Sequence, residues 1–430
     1  NTPTSGSIKD VENLCNREGR NFGLIETVSG EWVTAKYGYT STGKIPPDMR
    51  LPDSYYSAPY LNTINRMYGD CIVTSKSTND FSIILRIFSN GYANNRSDDP
   101  INFGDCTTCS ANTIPACAGN PINALTGNKF QKEIDIQQIN TATLGFQRYY
   151  NSKVSEEANL GVGWRHTYDR KLIKGVAPYN KSIANLNAYR PDGKIETYYQ
   201  SSEEWLSAHT TSRIVPLFDE HENQKGWKYI DSEDTGEIYD VNGRLNEIIE
   251  RSGLSTLLTY NTDNQLTKVT GPFGHTLIFS YDTEGRTSTI TDNGGRVYTY
   301  LYDANNNLLS VLHPDSSSRQ YHYDNTYTFQ FLNNLTGITD ENGSRYATFA
   351  YDPQDRAIAS EHAGQAGRIT IDFSAPDNPK ITEALGTTTG YSYISLLALR
   401  KVTQSTFGSH FSYDTRGFIT SKTDPNGMVT

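Results

Sequence analysis

The stretch YDVNGRLNEIIERSGLSTLLTYNTDNQLTKVTGPFGHTLIFSYDTEGRTSTITDNGGRVYTYLYD, from Tyr239 to Asp303, decides the fold. Tyr239, Tyr260, Tyr281 and Tyr302 stand 21 residues apart, and one more step reaches Tyr323. Four of the five are followed by aspartate (Asp240, Asp282, Asp303 and Asp324); Tyr260 is followed by Asn261. Four residues past each Tyr come Gly243, Asn264, Gly285 and Asn306, types that tolerate a positive φ. Fourteen past come Gly253, Gly274, Gly295 and then Ser316. Apolar columns fill the space between: Leu245, Leu266 and Leu308 six past the Tyr; Ile248, Val269, Ile290 and Val311 nine past. Leu258, Phe279, Tyr300 and Tyr321 stand two before each next Tyr. Steps of two residues within a strand put side chains on one face. Each unit therefore reads strand, turn, strand, turn, which is one β-hairpin. A lone hairpin is marginal in water, so the units must lie side by side in one long sheet.

Beyond Tyr323 the phase weakens. Phe329 stands for the next Tyr and leads to Tyr351-Asp352; further steps land on Asp372, Tyr393 and Tyr413-Asp414. Gly417 and Gly427 occupy the two turn columns of the last unit. The chain stops at Thr430, inside a repeat, and is expected to be a fragment of a longer protein.

Composition agrees with a β protein. Of 430 residues, 36% are hydrophobic, 29 are Tyr, 34 Gly and 17 Pro, and the mean hydropathy is −0.60. Tyrosine buries a ring while its hydroxyl stays hydrogen-bonded, which suits half-buried sheets. A net charge of −10 without a Lys/Arg cluster argues against a nucleic-acid partner. No apolar run is long enough for a membrane-spanning helix.

Three regions follow. Residues 1–100 read as a small N-terminal β domain of unknown role, 101–238 as a Cys/Gly/Asn-rich lead-in loop and a β module, and 239–430 as the repeat array, cut within a repeat. All five cysteines (Cys15, Cys71, Cys106, Cys109 and Cys117) precede residue 118. Disulfides in an oxidising compartment fit this clustering. A zinc site on Cys106, Cys109 and Cys117 lacks a fourth ligand, since no His occurs before His166. The odd count leaves one thiol unpaired within the chain.

The columns resemble the YD-repeat (Rhs) family, whose unit is a Tyr-Asp turn, Gly-Arg, an apolar strand and a Gly turn. YDVNGRL (239–245), YDTEGRT (281–287) and YDTRGFI (413–419) carry the likeness most clearly. GNPINALTGNKF (119–130), FQRYYNS (146–152) and GVGWRHTYD (161–169) resemble the module that precedes the repeats in Rhs proteins. The resemblance implies an all-β protein whose stacked hairpins form a curved, spiralling sheet, a partial shell behind the disulfide-stapled β domain. It also implies a secreted or cell-surface bacterial protein whose shell helps enclose or deliver a C-terminal toxin. The expected partners are then the rest of the same polypeptide, including a C-terminal effector. Self-association through open sheet edges is a further expectation, which light scattering would detect. The rival reading is an adhesin that contacts glycans or a partner through exposed Tyr and loops.

No catalytic, cofactor or metal site is expected. The pairs Asp98-Asp99, Glu156-Glu157 and Glu203-Glu204 put neighbours on opposite strand faces, unlike the paired carboxylates of a glycosidase. The eight His show no helical metal spacing. Asp-Pro-Asn-Gly at 424–427 is an ordinary turn sequence. The Asp column invites a calcium reading, but an Asp opening a turn accepts backbone N–H bonds two residues on without any metal. The Tyr column reads as hairpin-to-hairpin packing ahead of a sugar-stacking stripe.

Overall fold

A computed structural model describes residues 22–26, 32–36 and 116–430, apart from 141–142, 155–157, 178–179, 202–203, 208–209, 324–331, 376, 397–398 and 415–418. Cys15, Cys71, Cys106, Cys109, Asp324, Phe329 and Gly417 lie outside these residues. The chain divides into two compact units, Asn1–Arg96 and Ser97–Thr430. In the first, the described part is one antiparallel hairpin, Phe22–Glu26 with Trp32–Lys36.

The described residues of the second unit are β apart from two three-residue 3-10 turns. Among the described residues its main sheet holds 24 strands, from Lys171–Ala177 to Ile419–Thr423, each antiparallel to the next in sequence. This is the hairpin-after-hairpin ladder that the 21-residue phase demands. The ladder also closes on itself. Lys171 in the first strand bridges to Arg244, and the Leu172 N–H donates to the Gly243 carbonyl at 2.8 Å. The sheet thus curls until its opening strand meets the turn after Tyr239.

The Tyr-Asp turns show why the sequence folds this way. Asp240 Oδ1 accepts the backbone N–H of Asn242 (3.0 Å) and of Arg244 (2.9 Å), while Gly243 N–H returns to the Asp240 carbonyl (3.0 Å). Asp282, Asp303 and Asp352 repeat both Oδ1 bonds, and Asn261 does so with its amide oxygen. The residue after this turn sits at positive φ: 84° at Gly243, 61° at Asn264, 80° at Gly285, 61° at Asn306. The second turn has the same geometry, with φ 82° at Gly253 and 69° at Ser316. Pairing shifts register immediately before Tyr239, Tyr260, Tyr281, Tyr302, Tyr351, Tyr393 and Tyr413. Each such bulge increases the local twist of the strand pair that the Tyr-Asp turn joins.

Burial follows two-residue alternation. Leu258, Leu277, Phe279, Tyr298, Tyr300 and Tyr321 are buried, whereas Leu257, Ile278 and Leu301 on the other face are exposed. The core therefore lies on one face of the strip.

Candidate functional site: the seam between module and hairpin array

Residues 116–170 form two small sheets before the strip begins. The larger is Phe130–Ile136, Phe146–Asn151 and Trp164–His166. Its side chains are driven onto the strip because both partners offer an aromatic face. Phe146 meets Phe279 edge-on at 5.8 Å, and Trp164 meets Tyr321 edge-on at 5.0 Å.

A buried charge sits within this apolar contact. The Arg148 guanidinium makes a two-pronged pair with Asp135 (Nε–Oδ2 2.7 Å, Nη2–Oδ1 2.8 Å). Nη2 also donates to the Tyr321 hydroxyl at 2.7 Å, and the Tyr300 hydroxyl donates to Asp135 Oδ2 at 2.8 Å. The guanidinium lies over the Trp164 ring, 5.0 Å from its centroid, and near those of Tyr321 (5.2 Å) and Tyr300 (5.9 Å). Burial acts against this charge, but Asp135 together with Tyr321 and Tyr300 outweighs it and holds the arginine well above its ordinary pKa. Burial drives the Tyr300 and Tyr321 hydroxyls far above theirs. Next to this node, Glu133 pairs with Arg319 at 2.7 Å, and burial still raises its carboxyl. Lys129 is fully buried, its ammonium pulled well down by burial and seated 4.3 Å over the Phe349 ring.

Backbone ties run along the same contact. The Thr287 N–H donates to Asn159 O (2.7 Å), Val162 N–H to Asn306 O (2.9 Å), and Ala357 N–H to Gly127 O (2.8 Å). Tyr150 hydroxyl donates to Asn333 O (2.8 Å), Lys153 pairs with Asp355 (3.2 Å), and Arg400 bonds Leu125 O. From Gly243 to Arg400 the partners run, with local reversals, from Leu172 back to Leu125. The module is a rail laid across the array in broadly reversed order.

The repeat residues themselves tie hairpins together. Tyr260, Tyr281, Tyr302, Tyr351 and Tyr413 each donate a hydroxyl hydrogen bond to a carbonyl of the preceding hairpin, at Leu245, Leu266, Thr287, Leu335 and Val402. Two depart from this pattern. The Tyr239 hydroxyl bonds Glu237, which also pairs with Arg170 and Arg190, and the Tyr323 hydroxyl accepts from Trp164 Nε1 at 2.9 Å. Burial opposes the Glu237 charge, yet Arg170 and Arg190 hold its carboxyl far below the usual range. The Gly-Arg arginines cover the next tyrosine ring: Arg244 lies 4.8 Å over Tyr260 and Arg286 4.7 Å over Tyr302. Burial pulls the Lys401 ammonium down to about 8, against Asp414, whose charge raises it.

Among the described residues no group of three or more His, Cys, Asp or Glu could hold a metal ion. The repeat aspartates accept backbone N–H groups instead. Cys117 is disulfide-bonded, and every other cysteine lies outside the described residues. Sequence reasoning assigned no role to Arg148, Trp164, Asn159 or Gly127. The first, second and fourth fall inside FQRYYNS, GVGWRHTYD and GNPINALTGNKF, the stretches that carry the module resemblance.

Two family models match. Residues 281–318 match the RHS repeat, and residues 119–198 match a domain of unknown function, DUF6531. With its phased hairpin array, the chain is an Rhs/YD-repeat protein. No curated protein matches the sequence. Among solved structures, the Photorhabdus luminescens Tc holotoxin pore is 15% identical, covering 56% of this chain and 14% of that one, with a TM-score of 0.25. The TcdB2-TccC3-Cdc42 crystal structure is 11% identical over 95% of this chain and 28% of that one, TM-score 0.30. The N-terminal domain of the effector protein SpvB from Salmonella typhimurium strain LT2 is 12% identical over 58% and 95%, TM-score 0.20. The chain spans under a third of the length of the two toxin-complex chains.

Proposed function

We propose that this chain is a wall segment of a secreted or cell-surface Rhs shell that helps enclose or deliver a C-terminal toxin in the full-length protein. One observation supports this above others: among the described residues, 24 antiparallel strands follow one another in chain order and bury one face. Such a surface works by excluding solvent, not by reaction chemistry. The module refines the picture. It fills the buried face beneath Phe279, Tyr300 and Tyr321, so an enclosed cargo meets other strands and the module, not these aromatics. The test is protease protection of the effector in the full-length protein. The reading requires that the effector resist proteinase until the shell is unfolded. Digestion at the rate of the free effector would refute it.

The rival reading, an adhesin or glycan-binding surface, has one feature in its favour: a polar cleft on the edge of the array opposite the Tyr-Asp turns.

A further inference from the structure

The second turns of three successive hairpins converge with the end of the module strand Phe130–Ile136. Together they line a cleft of about 370 Å³. Arg296, His313, Ser317 and Glu341 come from the turns, Tyr298 from the strand behind them, and Asp135 from the module. The volume falls within the range of small-molecule sites.

Most polar groups here are spoken for. Asp135 is held by Arg148 and Tyr300, and Arg296 pairs with Asp292 at 2.6 Å. Asp315 accepts the Ser317 N–H and hydroxyl. One group is not. His313 Nε2 is buried without a hydrogen-bond partner and stands 3.8 Å from Glu341 Oε1, too far for a direct bond. The Tyr298 ring meets the imidazole edge-on at 5.9 Å. A buried polar atom without a partner costs about 1–3 kcal/mol, so the His313 side of the cleft offers a place for one.

The charges select the kind of partner. Asp135, Asp315 and Glu341 repel an anion, while Arg296 and Arg319, which pairs with Glu341 at 3.3 Å, disfavour a cation. The carboxyl and histidine positions do not form a metal-binding group. What remains is a neutral group that donates and accepts at once, placed between a carboxylate, an imidazole and a phenol. Sugar hydroxyls do this, and tyrosine supplies the amphipathic wall a sugar ring needs. We propose that this cleft is a saccharide subsite in which Glu341, His313 and Tyr298 hold adjacent hydroxyls. The proposal stands or falls independently of whether the shell encloses a cargo.

Saturation-transfer NMR on the 430-residue chain, with glucose, galactose, N-acetylglucosamine and their β-linked dimers as probes, tests this. At least one sugar should bind, with tenfold or greater loss of affinity in His313→Ala and in Glu341→Gln. A smaller loss is expected in Tyr298→Phe, which keeps the ring. All three variants should remain folded by circular dichroism, and Thr267→Ala, elsewhere on the strip, should bind as the parent does. Absence of binding by every probe overturns the proposal. So does binding that survives both His313→Ala and Glu341→Gln. Inorganic phosphate or spermidine binding with the same residue dependence would replace the saccharide by a charged ligand, and equally overturns it.

Discussion

The hydroxyl of Tyr281 donates to the carbonyl of Leu266 at 2.8 Å, one hairpin back. The same bond recurs from Tyr260 to Leu245 and from Tyr302 to Thr287. The 21-residue period is thus a physical repeat distance. Tyr281→Phe keeps the ring and removes the bond, at an expected cost of about 1 kcal/mol. The loss should appear as faster amide exchange confined to the strands on either side of Leu266 and Tyr281. Exchange accelerated evenly along the array would contradict a local tie.

Gly243 and Gly253 form a matched pair. Both hold a positive φ, 84° and 82°. A Cβ on Gly253 meets nothing within 4 Å, whereas one on Gly243 falls 1.9 Å from the Leu172 carbonyl oxygen. Gly253→Ala should therefore cost only the left-handed backbone penalty, about 1–2 kcal/mol. Gly243→Ala should cost clearly more and free the opening strand, Lys171–Ala177, for amide exchange. Equal costs in denaturant melts would mean that the ladder does not close at this point.

Arg148 and Asp135 are both buried, so removing one strands the other. Asp135→Ala or Arg148→Ala should destabilise the module by about 3–5 kcal/mol. Replacing both by apolar residues, Arg148→Met with Asp135→Leu, should cost less than either alone. Limited proteolysis of residues 116–170 reads this out. Additive losses would show that the two charges act independently.

His166 gives the module a pH dependence. Its ring lies 5.2 Å from Phe146 and 6.0 Å from Phe279, and burial lowers its pKa to about 4, against Asp169, which raises it. Between pH 4 and about 6.5 the unfolded chain takes up a proton that the folded chain refuses. Stability therefore falls as pH drops through this window, by about 3 kcal/mol at its foot. His166→Gln keeps an acceptor for the Tyr168 N–H and should flatten the profile. A parental and a variant profile of equal slope would exclude His166 as the cause.

Ser316 takes the place of glycine in the second-turn column and holds φ at 69°. Ser316→Gly relieves that strain and should raise stability by about 1 kcal/mol in urea unfolding. No gain would mean that local contacts compensate for the serine.

What the sequence made legible was whatever repeats. Tyr, Asp and the positive-φ positions return every 21 residues because each solves the same local problem, and a periodic signal needs no knowledge of distant partners. The seam does not repeat. Arg148 reaches Tyr321 across 173 residues and Arg400 reaches Leu125 across 275, and no spacing within one chain betrays such a meeting. The buried column of Phe279, Tyr300 and Tyr321 was visible, but not what covers it. Arg148 was hidden for a second reason, since an arginine in a strand reads as solvated surface until its carboxylate is found. The curl that joins Leu172 to Gly243 was equally silent, because a glycine at a turn explains itself by φ alone.

The reversed order of the rail has a consequence for biogenesis. Its residues precede the Tyr-Asp hairpins in the chain, so they leave the ribosome before them. Each newly made repeat then finds its docking position already exposed, beginning with the pair nearest in sequence, Leu172 and Gly243. Every later tie spans a longer stretch of polypeptide, yet the entropy of closing a loop grows only logarithmically with its length. Translation itself would act as the slider of a zip fastener.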